Sequence, residues 1–181
     1  MTIPNLITLF RLALVPVVVV ALLQGRFDLA FVGFVVAGLS DAIDGYIARR
    51  FDMRSELGAY LDPIADKLLM TSVFVILGMV EALPVWLVVL VVSRDVAIIA
   101  AVMLSFVMGM PVTMRPLKIS KLNTGVQIAL AAITLGQMAF LGATGALHNY
   151  LVYICATLTA FSAVAYLVIW LRHMSGNDNR A

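Results

Sequence analysis

The stretch LSDAIDGYIARRFDMRSELGAYLDPIADK, residues 39–67, sets Asp41, Asp44, Asp62 and Asp66 between apolar segments of a 181-residue chain. That chain is 63% hydrophobic and only 12% charged, whereas soluble domains carry charge on about a quarter of their residues. The composition is that of a membrane protein. A short polar joint between two apolar runs then predicts two antiparallel neighbouring helices, with the joint and all four aspartates at similar depth near one membrane surface.

Working outward from this hairpin, a span needs about 20 mostly apolar residues to cross roughly 30 Å of hydrocarbon. Six segments meet or approach that length: about 6–23, 29–48, 60–80, 84–107, 122–142 and 150–171. Gly25, Pro84, Pro111, Pro116 and Gly145 punctuate most of the joints. The fold class predicted is therefore all-α, a six-transmembrane-helix bundle forming one domain over residues 1–181. Arg49, Arg50 and Arg54 follow the second segment. Arg115, Lys118 and Lys121 surround the joint between the fourth and fifth, and Arg172 and Arg180 follow the sixth. By the positive-inside rule these joints and both termini face the cytoplasm. The N-terminal apolar run lacks a basic lead and a small-residue cleavage site and reads as a retained span. The absence of an Arg/Ser-rich presequence favours a bacterial inner membrane over a mitochondrial one.

Other features exclude chemistry. One cysteine, Cys155, rules out an intrachain disulfide framework or a CxxC centre, and the net charge of +2 gives no sign of a nucleic-acid partner. His148 reads as an outward loop residue. The ten methionines form no stripe and read as lipid contacts or gap-fillers.

On helices, Asp41 and Asp44 are spaced i,i+3, and Asp62 and Asp66 i,i+4, so each pair shares a face. A carboxylate at mid-membrane costs about 2.5–3.5 kcal/mol, and four unpaired anions repel one another. Mg²⁺ or Mn²⁺ suits an all-oxygen donor set, and four carboxylates can hold two such ions about 3.5–4 Å apart. Gly38, Ala42, Gly45, Ala48, Gly58, Ala59 and Ala65 let backbones approach closely. With Arg49 alongside, such a site suits a diphosphate. Pro63, tolerated in a first helical turn, places the start of the third span near Asp62. A pairing network with Arg49, Arg50 and Lys67, or a small cation transporter, are the alternatives, although no inverted repeat or pair of broken helices supports transport.

The pattern Asp41-x2-Asp44-Gly45-x2-Ala48-Arg49-x8-Gly58-x3-Asp62-x3-Asp66 resembles, at every fixed position, the signature of the CDP-alcohol phosphatidyltransferase family. IPNLITLFR, residues 3–11, is similar to the family's first helix, and the six-span layout covers essentially the whole chain. The resemblance implies an integral membrane enzyme in which an acceptor hydroxyl displaces CMP from a CDP-linked lipid. It implies that Asp41, Asp44, Asp62 and Asp66 hold two divalent metals, and that Asp66 doubles as general base. Asn5, Thr8, Gly45, Arg49, Ser55 and Gly58 would meet the CDP part, with helix capping the simpler role for Asn5.

SRDVAIIAAV, RPLKISKLNTGVQ and IPNLITLFRLALVPV most resemble the mitochondrial-type cardiolipin synthase branch of that family. That branch uses CDP-diacylglycerol and phosphatidylglycerol; the phosphatidylglycerophosphate synthase branch, which uses glycerol 3-phosphate, is the alternative. No HxK pair accompanies His148 or His173, which excludes the phosphohistidine route. Arg94 and Asp95, about ten residues inside the fourth span, are neighbours in sequence and are expected to face different partners. Arg94 and Lys121 are candidates for the acceptor phosphate, with Asp95 orienting it. Family resemblance also implies a homodimer.

Overall fold

The computed structural model describes the backbone of residues 3–51, 56–109 and 117–175, and the side chains of residues 8–41, 64–109 and 117–175. The regular structure among these residues is helical throughout: α1 (Ile3–Leu23), α2 (Phe27–Phe51), α3 (Glu56–Met79), α4 (Val85–Val107), α5 (Lys118–Leu141) and α6 (Ala146–Met174). Each matches one apolar segment of the sequence. α4, α5 and α6 are each long and apolar enough to cross a membrane, and Thr8–Leu23 is a shorter apolar helix.

Two boundaries differ from expectation. α3 starts at Glu56, so Pro63 lies inside the helix and not in its first turn. An acidic residue in the first turn favours the helix dipole there, and the missing proline N–H removes one internal hydrogen bond without stopping the helix. α6 starts at Ala146, so His148 is helical and 4% exposed, not an outward loop residue.

The chain divides into two compact units. Residues 1–83 and 131–145 make up the first, and residues 84–130 and 146–181 the second, so that α5 contributes to both. In the first unit α1 packs on α2 and α3. Its inner stripe, Thr8, Arg11, Val18 and Leu22, is buried throughout and repeats at helical spacing. On α2, Ala30, Phe34 and Ala37 are buried, and the next position on that stripe is Asp41. On α3, Leu69, Val73 and Leu77 are buried, and Asp66 precedes them by one turn. The apolar faces that pack these helices therefore run straight into the two carboxylates.

Close approach of α1 and α2 depends on Gly33, where an added Cβ would lie 2.8 Å from Val18 Cγ2. Val18 is fully buried and β-branched, with little freedom to move aside. Gly33→Val is expected to destabilise the protein by about 2 kcal/mol through overpacking, read as a lower midpoint of thermal unfolding in detergent.

In the second unit α4 packs on α6. Leu87, Val91 and Arg94 are buried on α4, and Val152, Cys155, Thr159, Ser162 and Tyr166 on α6. Trp170 Nε1 donates to the Ala101 carbonyl at 3.1 Å and to Ser105 Oγ at 2.9 Å, fixing the register of the two helices. Large apolar side chains elsewhere face outward: Phe106 is 76% and Val107 80% exposed. An aqueous surface would penalise that display, and a lipid one would not.

Candidate functional site

Three elements of the first unit meet at one guanidinium. Arg11, on α1, is fully buried. Its Nη1 lies 2.8 Å from Asp41 Oδ1 on α2 and 2.7 Å from Asp66 Oδ1 on α3. Sharing one nitrogen places the two oxygens no more than 5.5 Å apart, the sum of the two contacts. Both carboxylates remain 47% exposed, so they sit between the buried arginine and open space. One nitrogen of Arg11 thus faces a carboxylate from each of two helices. Thr8, one turn before Arg11, is buried on the same face.

One member of each aspartate pair is thus brought to a common point. Asp44 on α2 and Asp62 on α3 have side chains outside the described residues, as do Asn5, Gly45, Arg49 and Gly58; Ser55 lies outside them altogether. Among the described residues no three His, Cys, Asp or Glu groups form a metal-sized cluster. The Asp41 and Asp66 oxygens nevertheless fit the chemistry of a hard divalent ion: they are carboxylate donors, convergent and half exposed.

Arg11 is the functional candidate that sequence reasoning missed. Its signal was a single cation eight residues inside an apolar helix, where ionisable groups are expensive and rarely idle.

The second unit holds another buried cation. Arg94 Nη1 lies 2.6 Å from Asp95 Oδ1, while Nη2 donates to Ser120 Oγ at 2.6 Å and to Ser162 Oγ at 2.7 Å. The guanidinium carbon sits 5.5 Å from the Tyr166 ring centroid, within cation–π range. The expectation that Arg94 and Asp95 take different partners is therefore corrected. The long arginine side chain spans the angle that separates helical neighbours, and burial makes an adjacent carboxylate the cheapest counter-charge. Lys121, on α5, is exposed. Asn123 and Gln127, on the same helix, are buried, and Asn123 Oδ1 accepts from Thr159 Oγ1 at 2.9 Å. Among the described residues, the Asn123 and Gln127 amide nitrogens have no hydrogen-bond partner. This polar seam of Ser120, Asn123, Thr159 and Ser162 was not singled out in the sequence, because small hydroxyl and amide residues barely disturb hydropathy.

A helical protein with membrane-length apolar helices and a carboxylate cluster reached by helices α1, α2 and α3 belongs among membrane-embedded proteins that handle charged groups beside lipid. Comparison narrows that class: the profile of the CDP-alcohol phosphatidyltransferase family matches residues 1–174, and the chain belongs to this family. It is 36% identical to a human cardiolipin synthase (CMP-forming), over 91% of this chain and 60% of that protein. It is also 36% identical to the rat cardiolipin synthase (CMP-forming), with the same coverage. A Bacillus subtilis CDP-diacylglycerol–glycerol-3-phosphate 3-phosphatidyltransferase is 31% identical, over 76% of this chain and 78% of that protein. The chain thus spans about three fifths of the length of the mammalian relatives.

Proposed function

We propose that the protein is a cardiolipin synthase that transfers the phosphatidyl group of CDP-diacylglycerol to a hydroxyl of phosphatidylglycerol, releasing CMP. The observation that carries this reading is the convergence of Asp41 and Asp66 on Arg11, in a family whose reaction needs carboxylates beside a diphosphate. Asp41, Asp44, Asp62 and Asp66 would hold two divalent ions, Mg²⁺ or Mn²⁺. When bound, such ions supply positive charge to the diphosphate and to the departing CMP.

The chain's own residues do the rest. Asp66 accepts the proton of the acceptor hydroxyl while that oxygen bonds to the β-phosphorus and the bond from this phosphorus to CMP breaks. Arg11 holds Asp41 and Asp66 at their stations. Asn5, Thr8, Gly45, Arg49, Ser55 and Gly58 bind the CDP part. Lys121, exposed and basic, and Arg94, held by Asp95, are the residues assigned to the acceptor phosphate. In this reading the chain is one domain of six spans with cytoplasmic termini, in a bacterial inner membrane, and acts as a homodimer.

The glycerol 3-phosphate reading has its own support, since the Bacillus relative is covered over 78% of its length. The test is product identity. Purified protein in mixed micelles with CDP-diacylglycerol and Mg²⁺ should release CMP and form cardiolipin when given phosphatidylglycerol. Phosphatidylglycerophosphate formed from glycerol 3-phosphate, with no cardiolipin, would establish the second reading; no CMP release with either acceptor would remove both. Lys121→Ala is expected to raise the acceptor KM about tenfold, a loss of about 1.4 kcal/mol, with the KM for CDP-diacylglycerol unchanged.

A further inference from the structure

Arg11 stands among the carboxylates as a cation supplied by the chain itself. Its Nη1 meets Oδ1 of Asp41 on α2 at 2.8 Å and Oδ1 of Asp66 on α3 at 2.7 Å. One atom thus joins two helices, as a divalent ion does when it takes an oxygen from each of two carboxylates. The arginine side chain is 1% exposed, and α1 packs on both α2 and α3, so this charge is fixed in place. Both aspartates are 47% exposed, and an ion from solution reaches them while Arg11 stays behind. The guanidinium and the ion therefore share the same ligands.

The sharing has a sign. A neutral hydrogen-bond donor behind a metal-ligating carboxylate orients it, and losing such a partner costs about 10- to 100-fold in affinity. A guanidinium orients the carboxylate as well, but it also draws on the negative charge that the ion needs and repels the ion. At about 5 Å, a unit charge opposes a doubly charged ion by about tenfold even in bulk water, and a buried charge is less screened than that. Orientation does not rest on Arg11 alone: the buried stripes Ala30, Phe34 and Ala37 on α2, and Leu69, Val73 and Leu77 on α3, run into Asp41 and Asp66. With packing carrying part of the positioning, repulsion outweighs it.

Resting on the two-metal reading above, we infer that Arg11 is a resident counter-cation that competes with the divalent ion for Asp41 and Asp66. It ties α1, α2 and α3 together when metal is scarce and holds metal affinity down. The site therefore exchanges its ion readily, and the fold does not depend on one.

The test is the affinity for Mn²⁺, followed by the electron paramagnetic resonance signal of the free ion, in the full chain purified in detergent. Arg11→Met and Arg11→Gln remove the charge, and Arg11→Lys keeps it. The expected result is a Kd about tenfold lower than wild type in the two neutral variants and within about threefold of wild type in the lysine variant. An unchanged or higher Kd in the neutral variants would overturn the inference, because Arg11 would then be inert toward the ion or would only position its ligands. If neither neutral variant stays folded without metal, the midpoint of thermal unfolding is followed against Mg²⁺ concentration. Recovery of the wild-type midpoint at saturating Mg²⁺ supports the inference, since the ion takes over the tie between the helices; a deficit that Mg²⁺ leaves in place sinks it. Asp41→Asn in the wild-type background locates the ion, and Mn²⁺ binding should be lost there. No Mn²⁺ binding in the wild type or in either folded neutral variant would instead remove the two-metal reading beneath.

Discussion

Asp66→Asn is expected to reduce CMP release by about a thousandfold or more while leaving the protein folded. The asparagine side chain keeps the shape and much of the hydrogen-bonding capacity of the aspartate but cannot take up a proton from the acceptor hydroxyl. General-base catalysis alone contributes about 10²- to 10⁴-fold, and losing one anionic donor next to Asp41 adds to that. The distinguishing measurement is binding of CDP-diacylglycerol, by calorimetry or by protection against thermal unfolding. Asp66→Asn should retain that binding better than Asp41→Asn does. Equal losses in the two variants would reduce Asp66 to a charge-holding residue with no proton-accepting role.

The second large effect falls on Arg11. Arg11→Met removes the buried cation that α1 gives to Asp41 on α2 and Asp66 on α3. Breaking a buried ion pair from one side costs about 3–5 kcal/mol. Both aspartates are half exposed, which places the expected loss near the lower end, at about 3 kcal/mol. Thermal unfolding in detergent measures it. Arg11→Lys keeps the charge but not the rigid guanidinium that presents Nη1 to both carboxylates, and should recover stability more fully than turnover. Full recovery of turnover by lysine would mean that Arg11 supplies charge alone.

The sequence made the helices legible because hydropathy and length suffice for that. All six apolar segments became helices, with ends shifted by a few residues where caps and proline work at single-residue resolution. The spacing of the four aspartates predicted that all of them converge; the structure brings Asp41 and Asp66 to one guanidinium, and the side chains of Asp44 and Asp62 lie outside the described residues. Arg11 was not legible, because its partners lie 30 and 55 residues away and only packing brings them to one atom. Arg94 shows the converse failure: the angular rule for helical neighbours is sound for short side chains, and a buried arginine is long enough to break it. The seam of Ser120, Asn123, Thr159 and Ser162 escaped notice because its residues matter through the groups they oppose on another helix, which no local pattern records.

Arg11 also bears on how the protein is built. A helix carrying one arginine at its centre enters a membrane at a cost of about 2.5–3.5 kcal/mol, and α1 alone has nothing with which to offset it. The compensating anions stand on α2 and α3, which a ribosome delivers later. During synthesis α1 therefore remains an unfinished insertion, retained by its apolar flanks, until the second helix arrives with Asp41. The shortest piece of this chain that should settle stably in a bilayer runs through the end of α2, and a fragment ending after α1 should be a substrate for membrane quality control.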